Sequence, residues 1–248
     1  MSATPTRDYV TGTTLAAEMA SFSSPAEQPE VAAPVKVGDH FPESEQLPQL
    51  KELNGRPAMI TFLRHCGCPF AEKTFQTFRH LSDLHPDVLF LAISHSNPSD
   101  TDEWVVSVGG TGDVLVTTDP ARTLYAAWGL GFSSFWANMG PMTLWKALKL
   151  GQEELIYNRP TKSGYRWQTA GSFAVDADGV VRWAYVSTGA ADVANFEDGL
   201  RAVGKPSEEL KKKTRRSSER RSIDRRSSDQ RRSGEQQSGE QQSSEQQG

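Results

Sequence analysis

A strand, helix and strand pattern in the first half of the chain most constrains its fold. Residues 58–64 (AMITFLR) and 88–95 (VLFLAISH) are short apolar runs of strand length. Between them, residues 69–86 place apolar side chains at helical spacing and charged ones on the other face, and Pro69 stands where a first helical turn tolerates proline. This order predicts a right-handed βαβ unit with a largely buried sheet.

The segments after this unit continue the alternation of helix and strand patterns. They predict a helix over 98–108, a strand over 113–120, a helix over 121–130, a helix over 142–150, a hairpin over 171–187 and a final helix over 191–203. Parallel βαβ units followed by a hairpin and a terminal helix predict an α/β, thioredoxin-like fold. We therefore expect a central mixed sheet flanked by helices within residues 35–204.

The two ends of the chain differ from this domain in composition. Residues 1–34 are rich in Ser, Thr, Ala and Pro, which predicts a mobile N-terminal arm. Residues 205–248 contain no aromatic side chain and are first basic, then Gln-rich, which predicts a disordered tail. Within it, residues 211–232 hold eleven basic and three acidic side chains. They form either a solvated spacer or a weak, non-specific contact with nucleic acid or acidic surfaces.

Composition and targeting signals favour a cytoplasmic protein, with a nuclear or organellar location as the alternative. The 248 residues carry a formal charge of -4 and 36% apolar residues, which fits one globular domain with polar extensions. No apolar run is long enough to predict a transmembrane segment. Two cysteines are too few for a disulfide framework and suit a reduced compartment. Zinc would need more ligands, and no metal or organic cofactor is predicted.

Both cysteines lie in one short stretch, FLRHCGCPF. Cys68 directly precedes the first predicted helix, where free N–H groups and the helix dipole stabilise a thiolate and lower the thiol pKa. Arg64 and His65 are expected to add positive potential, and Arg64 is the better partner because it stays protonated. A surface position without a role is the alternative for His65. The predicted catalytic residues are therefore Cys68, Cys66, Arg64 and His65.

A thiolate at Cys68 predicts a specific chemistry. Its attack on a peroxide gives a sulfenic acid, which condenses with a second thiol. Cys66 is the only other thiol of the chain, but a bridge between them would close a small, strained ring. An external thiol, glutathione or a thioredoxin, is the other expected reductant. The alternative is that both cysteines are small buried residues, and Cys66 suits that description better.

Several motifs together resemble a known family. FLRHCGCPF, VGDHFP, DPARTLYAAWGL, TLWKAL and WQTAGSFAVDADGVVRWAYVS occur in this order within residues 35–204. The set resembles the AhpC/TSA thioredoxin-like antioxidant family, in particular its peroxiredoxin-like 2 group. The resemblance implies a thioredoxin-like fold and a thiol-dependent antioxidant activity on peroxide, with Cys68 matching the first family cysteine. Ala71 stands in place of the second, and TAGSF lacks the arginine with which peroxiredoxins polarise peroxide.

The leading hypothesis is thus a thiol-dependent oxidoreductase that attacks a peroxide or disulfide through Cys68. A non-catalytic thioredoxin-like module that binds a partner or a small hydrophobic ligand is the alternative, and a role toward a small electrophile is a third. An aromatic-rich stretch, residues 131–168, forms either a satellite core or a ligand pocket over the thiols. The stretch includes Phe132, Phe135, Trp136, Trp145, Tyr165 and Trp167.

Overall fold

The structure is a computed structural model. It describes residues 16, 19–22, 28–133, 140–160 and 162–206. The chain divides into two units, residues 1–205 and 206–248, and the helices and strands described below belong to the first. Most of the predicted tail, together with Phe135 and Trp136, lies outside the described residues, so the predicted domain boundaries and the contacts of the basic stretch stay predictions. No helix in the described part of the chain is long and apolar enough to cross a bilayer.

Helices and strands alternate along the chain. In order they are α1 (Pro48–Lys51), β1 (Ala58–Phe62), α2 (Pro69–Leu84), β2 (Leu89–Ser94), α3 (Pro98–Ser107), β3 (Leu115–Thr118), α4 (Thr123–Ala127), α5 (Pro141–Glu154), β4 (Gly171–Val175), β5 (Val181–Val186) and α6 (Phe196–Ala202). Every element predicted from the sequence between β1 and α6 is present. The addition is α1, which is a single turn.

The sheet has five strands in the order β3-β2-β1-β4-β5. β1, β2 and β3 are parallel, while β4 runs antiparallel to both β1 and β5. Every residue of β1 and β2 is buried, as expected of central strands covered on both faces. The mixed sheet flanked by helices confirms the predicted thioredoxin-like fold.

Alternate side chains of β1 reach two separate cores. Met59 belongs to one cluster, together with Phe75 and Phe78 of α2. Ile60 and Phe62 belong to the other cluster, which includes α1 and α4. Helices α2, α3 and α6 therefore cover one face of the sheet, and α1 and α4 cover the other.

A buried tyrosine fixes the ends of the two central strands. The hydroxyl of Tyr125, in α4, lies 2.6 Å from the carbonyl oxygen of Leu63 and 2.9 Å from that of Ile93. The Asp119 carboxylate caps the start of this helix, because it accepts a hydrogen bond from the Leu124 N–H at 2.8 Å. The DPARTLY motif thus packs α4 against the point where the chain leaves β1 and β2. The residues after those strand ends form the candidate site.

Candidate active site

The turn after β1 carries both cysteines. Cys68 is the N-cap residue of the 16-residue helix α2, with extended backbone angles, and its carbonyl accepts the Glu72 N–H at 3.1 Å. Gly67, between the cysteines, has a φ of 116°, a backbone conformation that residues other than glycine rarely adopt. The helix start at Cys68 is the one that Pro69 predicts.

Cys68 lines a cavity of about 370 Å³, here called the Cys68 cavity. Cys68 itself is 5% exposed. None of the described residues that line this cavity is acidic, and most are apolar. They are Phe22, Arg64, His65, Cys68, Pro69, Phe70, Thr143, Leu144, Ala147, Asn158, Arg166, Trp167 and Ala190. The cavity therefore offers apolar walls and two guanidinium groups beside one thiol.

Arg64 and His65 both reach this cavity but differ in charge. Arg64 is buried and its Nη2 donates a hydrogen bond to the carbonyl oxygen of Arg166. His65 is 2% exposed, so it is not a surface residue. Burial, with smaller contributions from Arg64 and His95, lowers the pKa of His65 from 6.5 to about 3. His65 is neutral at pH 7, so the positive charge expected of it is absent and Arg64 alone of this pair supplies one.

Cys66 lies in different surroundings. Its Sγ is 3.5 Å from the Ser94 hydroxyl and 3.9 Å from that of Thr101, and its N–H donates to the Ser96 hydroxyl at 3.3 Å. Burial raises the pKa of the Cys66 thiol. Cys66 borders a second cavity of about 250 Å³. Its other lining residues are Asp100, Glu103, Trp104, Ser107, Arg159, Pro160, Lys162 and Ser163.

The two thiols therefore border different cavities, and both are free. Ala71, at the position of the second family cysteine, is buried in the core against which α2 packs. Within the described residues, no three His, Cys, Asp or Glu side chains gather closely enough to hold a metal ion.

A segment that we call the site loop, residues 156–167 without 161, packs against the cysteine turn. The Arg159 N–H donates to the Gly67 carbonyl at 2.9 Å. The Arg159 guanidinium binds Glu72 through two contacts, Nε to Oε2 at 2.8 Å and Nη2 to Oε1 at 3.1 Å. At the other end of the loop, the Tyr165 N–H donates to His95 Nε2 at 3.0 Å. These contacts hold the loop over both cysteines.

Arg166 is the main site residue that the sequence did not predict. It lies three residues before TAGSF, a stretch without arginine, and its side chain lines the Cys68 cavity. Burial lowers the pKa of its guanidinium below the usual value. The only sequence signal was its closeness to the hairpin strand, which does not distinguish Arg166 from other arginines.

The aromatic-rich stretch contributes partly to the pocket at the thiols and partly to a separate cluster. Trp167 lines the Cys68 cavity. Phe132 and Tyr165 instead pack against each other, with the Arg122 guanidinium over both rings. Trp145 is 57% exposed on α5. One tryptophan therefore belongs to the site, whereas Phe132 and Tyr165 form a separate cluster.

Comparison with known proteins agrees with this arrangement. Residues 76–189 match the family model described as AhpC/TSA antioxidant enzyme. The resemblance to the AhpC/TSA family is thereby confirmed. The match begins after both cysteines, so their roles depend on the geometry described above. The family match supports a thiol-dependent, peroxidase-like role. No curated protein sequence matches this chain.

Solved structures resemble this chain in fold. A variant of peroxiredoxin 6 from Arenicola marina has a TM-score of 0.51 and 15% identity, over 68% of this chain and 72% of its own. The peroxidoxin BcpB from Mycobacterium tuberculosis has a TM-score of 0.48 and 17% identity, over 68% of this chain and 96% of its own. At 15% identity, the likeness to the Arenicola marina structure establishes the fold alone.

Proposed function

We propose that this chain is a thiol-dependent antioxidant oxidoreductase that reduces a peroxide or disulfide through Cys68. The observation that carries the proposal is the position of Cys68. It is the N-cap residue of α2 and lies in the wall of a cavity of about 370 Å³ that Arg64 also lines. A helix start presents free N–H groups and the positive end of the helix dipole, and Arg64 adds a guanidinium to the same cavity. The thiolate is the form that attacks a peroxide.

The proposed reaction has two stages. The Cys68 thiolate attacks one peroxide oxygen, an S–O bond forms, the O–O bond breaks, and the departing oxygen takes a proton to leave as an alcohol or water. Cys68 is oxidised to a sulfenic acid. One external thiol, from glutathione or a thioredoxin, condenses with it and releases water, and a second thiol then displaces Cys68 and leaves as a disulfide.

An external reductant is proposed because the chain offers no partner thiol in the same cavity. Cys66 borders the other cavity, and burial raises the pKa of its thiol. Ala71 has no thiol to contribute. We therefore assign Cys68 the attack on peroxide and Cys66 a structural place among the hydroxyls of Ser94 and Thr101.

Two measurements test the assignment. Alkylation by iodoacetamide, followed by peptide mass spectrometry, should label Cys68 in the native protein at neutral pH and should label Cys66 more slowly, because burial raises the pKa of the Cys66 thiol. Peroxide-dependent oxidation of an added thiol should be lost in Cys68→Ser and kept in Cys66→Ser, which is the matched control. Labelling of Cys68 only after unfolding, or activity retained in Cys68→Ser, would overturn the proposal.

The apolar walls of the Cys68 cavity favour one further candidate, a non-catalytic module that holds a small hydrophobic ligand. Leu144, Ala147 and Trp167 supply such walls. Such a module would bind its ligand equally well in Cys68→Ser and would show no thiol turnover. A role toward a small electrophile would also use Cys68, and it would appear as consumption of the electrophile without reduction of peroxide.

A further inference from the structure

A short N-terminal stretch reaches the Cys68 cavity from far away in the sequence. Residues 19–22, here called the strap, precede β1 by more than thirty positions. Ser21 of the strap is 1% exposed, and Phe22 lines the cavity. We propose that the strap forms an outer wall of this cavity and that Phe22 determines which molecules reach Cys68.

Three hydrogen bonds tie the strap to the end of the site loop. The Arg166 N–H donates to the Ser21 carbonyl at 2.9 Å, and Arg166 Nε donates to the Ser21 hydroxyl at 2.8 Å. The indole Nε1 of Trp167 donates to the Phe22 carbonyl at 2.8 Å. Because backbone and side-chain groups both take part, the two strap residues have a defined position relative to Arg166 and Trp167.

The aromatic ring of Phe22 completes this wall. It lies 6.0 Å from the Trp167 ring in an edge-on arrangement, and the Arg166 guanidinium lies 4.5 Å from its centroid. Such contacts stabilise a ring in one place. Phe22 is 38% exposed, so its ring lies between solvent and the cavity that Cys68 borders.

The same contacts connect the strap to the charge beside the thiol. The carbonyl oxygen of Arg166 accepts a hydrogen bond from Arg64, so the strap, Arg166 and Arg64 form one continuous set of contacts. A slender molecule can pass this wall, whereas a broad one must displace Phe22 and break the bonds of Ser21. The inference rests on the proposed role of Cys68 and adds that its substrates are selected by width.

The test compares two maleimides on the full-length protein. Rate constants for alkylation of Cys68 by N-ethylmaleimide and by fluorescein-5-maleimide are measured by peptide mass spectrometry, and their ratio reports the width that the cavity admits. In Phe22→Ala the rate with the broad reagent relative to the slender one should rise about tenfold. Met19→Ala is the control, because Met19 is 63% exposed on the same strap, and it should leave the ratio within about twofold of the wild type.

A ratio unchanged in Phe22→Ala, or raised equally in Met19→Ala, overturns the inference. Ser21→Ala is the second variant, used if Phe22→Ala does not fold. It removes the hydroxyl that accepts from Arg166 and should raise the ratio in the same direction by a smaller factor, so no rise there also overturns the inference. A different result would overturn the proposed function alone: the expected selection by width together with no peroxide turnover.

Discussion

The ion pair between Glu72 and Arg159 allows a quantitative test of how the site loop is held. Glu72 lies in the first turns of α2, four residues after Cys68, and its side chain is 5% exposed. Arg159, in the site loop, is 42% exposed. Replacing Arg159 by methionine removes the guanidinium and leaves a buried carboxylate without its main partner.

The cost lies between two limits. Exposed ion pairs contribute about 0–1 kcal/mol, whereas removing one partner of a fully buried pair costs about 3–5 kcal/mol. Here one partner is buried and the other is partly hydrated, and Gln76 Nε2 remains 3.2 Å from Glu72 Oε1. We expect Arg159→Met to lower the free energy of unfolding by about 2 kcal/mol. With an m-value of about 2 kcal/mol/M, the urea midpoint should fall by about 1 M.

Urea unfolding followed by circular dichroism measures this loss, and two further variants identify its cause. Lys162→Met, in the same loop, breaks a pair with Glu103 in which the side chains are 38% and 57% exposed, and it should cost less than about 0.5 kcal/mol. Adding Glu72→Met to Arg159→Met removes the unpaired charge and should recover most of the loss. A double variant as unstable as Arg159→Met would refute the electrostatic explanation.

Two further predictions concern buried groups near the strand ends. Tyr125→Phe removes the hydroxyl whose hydrogen the carbonyl oxygens of Leu63 and Ile93 share. Urea unfolding should therefore show a free energy of unfolding that is lower by about 1–2 kcal/mol. Tyr157→Phe, at a 60% exposed side chain, is the control and should change little. Burial lowers the pKa of His65 to about 3 and that of His95 to about 4. Because the unfolded chain then binds more protons, stability should be constant above about pH 7 and should fall below about pH 6.5, by up to about 1.4 kcal/mol per pH unit for each histidine. Urea titrations at decreasing pH measure the slope, which His65→Asn should reduce, and a flat profile to about pH 5 would contradict the assignment.

Much of the fold could be predicted because its central strands are buried on both faces. A strand such as AMITF is apolar throughout when helices cover both sides, and this continuous run is visible in the sequence. The pairing of β1 with β4 could not be read in this way, because strands more than a hundred residues apart leave no local signal of their contact. Helix α1 was missed because four residues carry no periodicity.

The site was predictable only where the local sequence determines it. Pro69 fixes where α2 begins, and this places Cys68 at the helix start. The burial of His65 depends on residues from elsewhere in the chain, among them Arg166 and Trp167, which line the same cavity. Arg166 and Phe22 reach the cavity only through tertiary folding, so neither could be recognised beforehand.

The separation of the two thiols bears on which reductant Cys68 can use. A sulfenic acid at Cys68 would meet only molecules that enter its own cavity, because Cys66 borders the other one. With Cys68 5% exposed behind Phe22, a small thiol such as glutathione should reach the sulfur, whereas the surface cysteine of a folded thioredoxin should not. Stopped-flow mixing of peroxide-treated protein with each reductant measures the two rates of reduction, and glutathione should be the faster. Faster reduction by thioredoxin than by glutathione in the wild type would contradict this expectation. In Phe22→Ala, the difference between the two rates should be smaller.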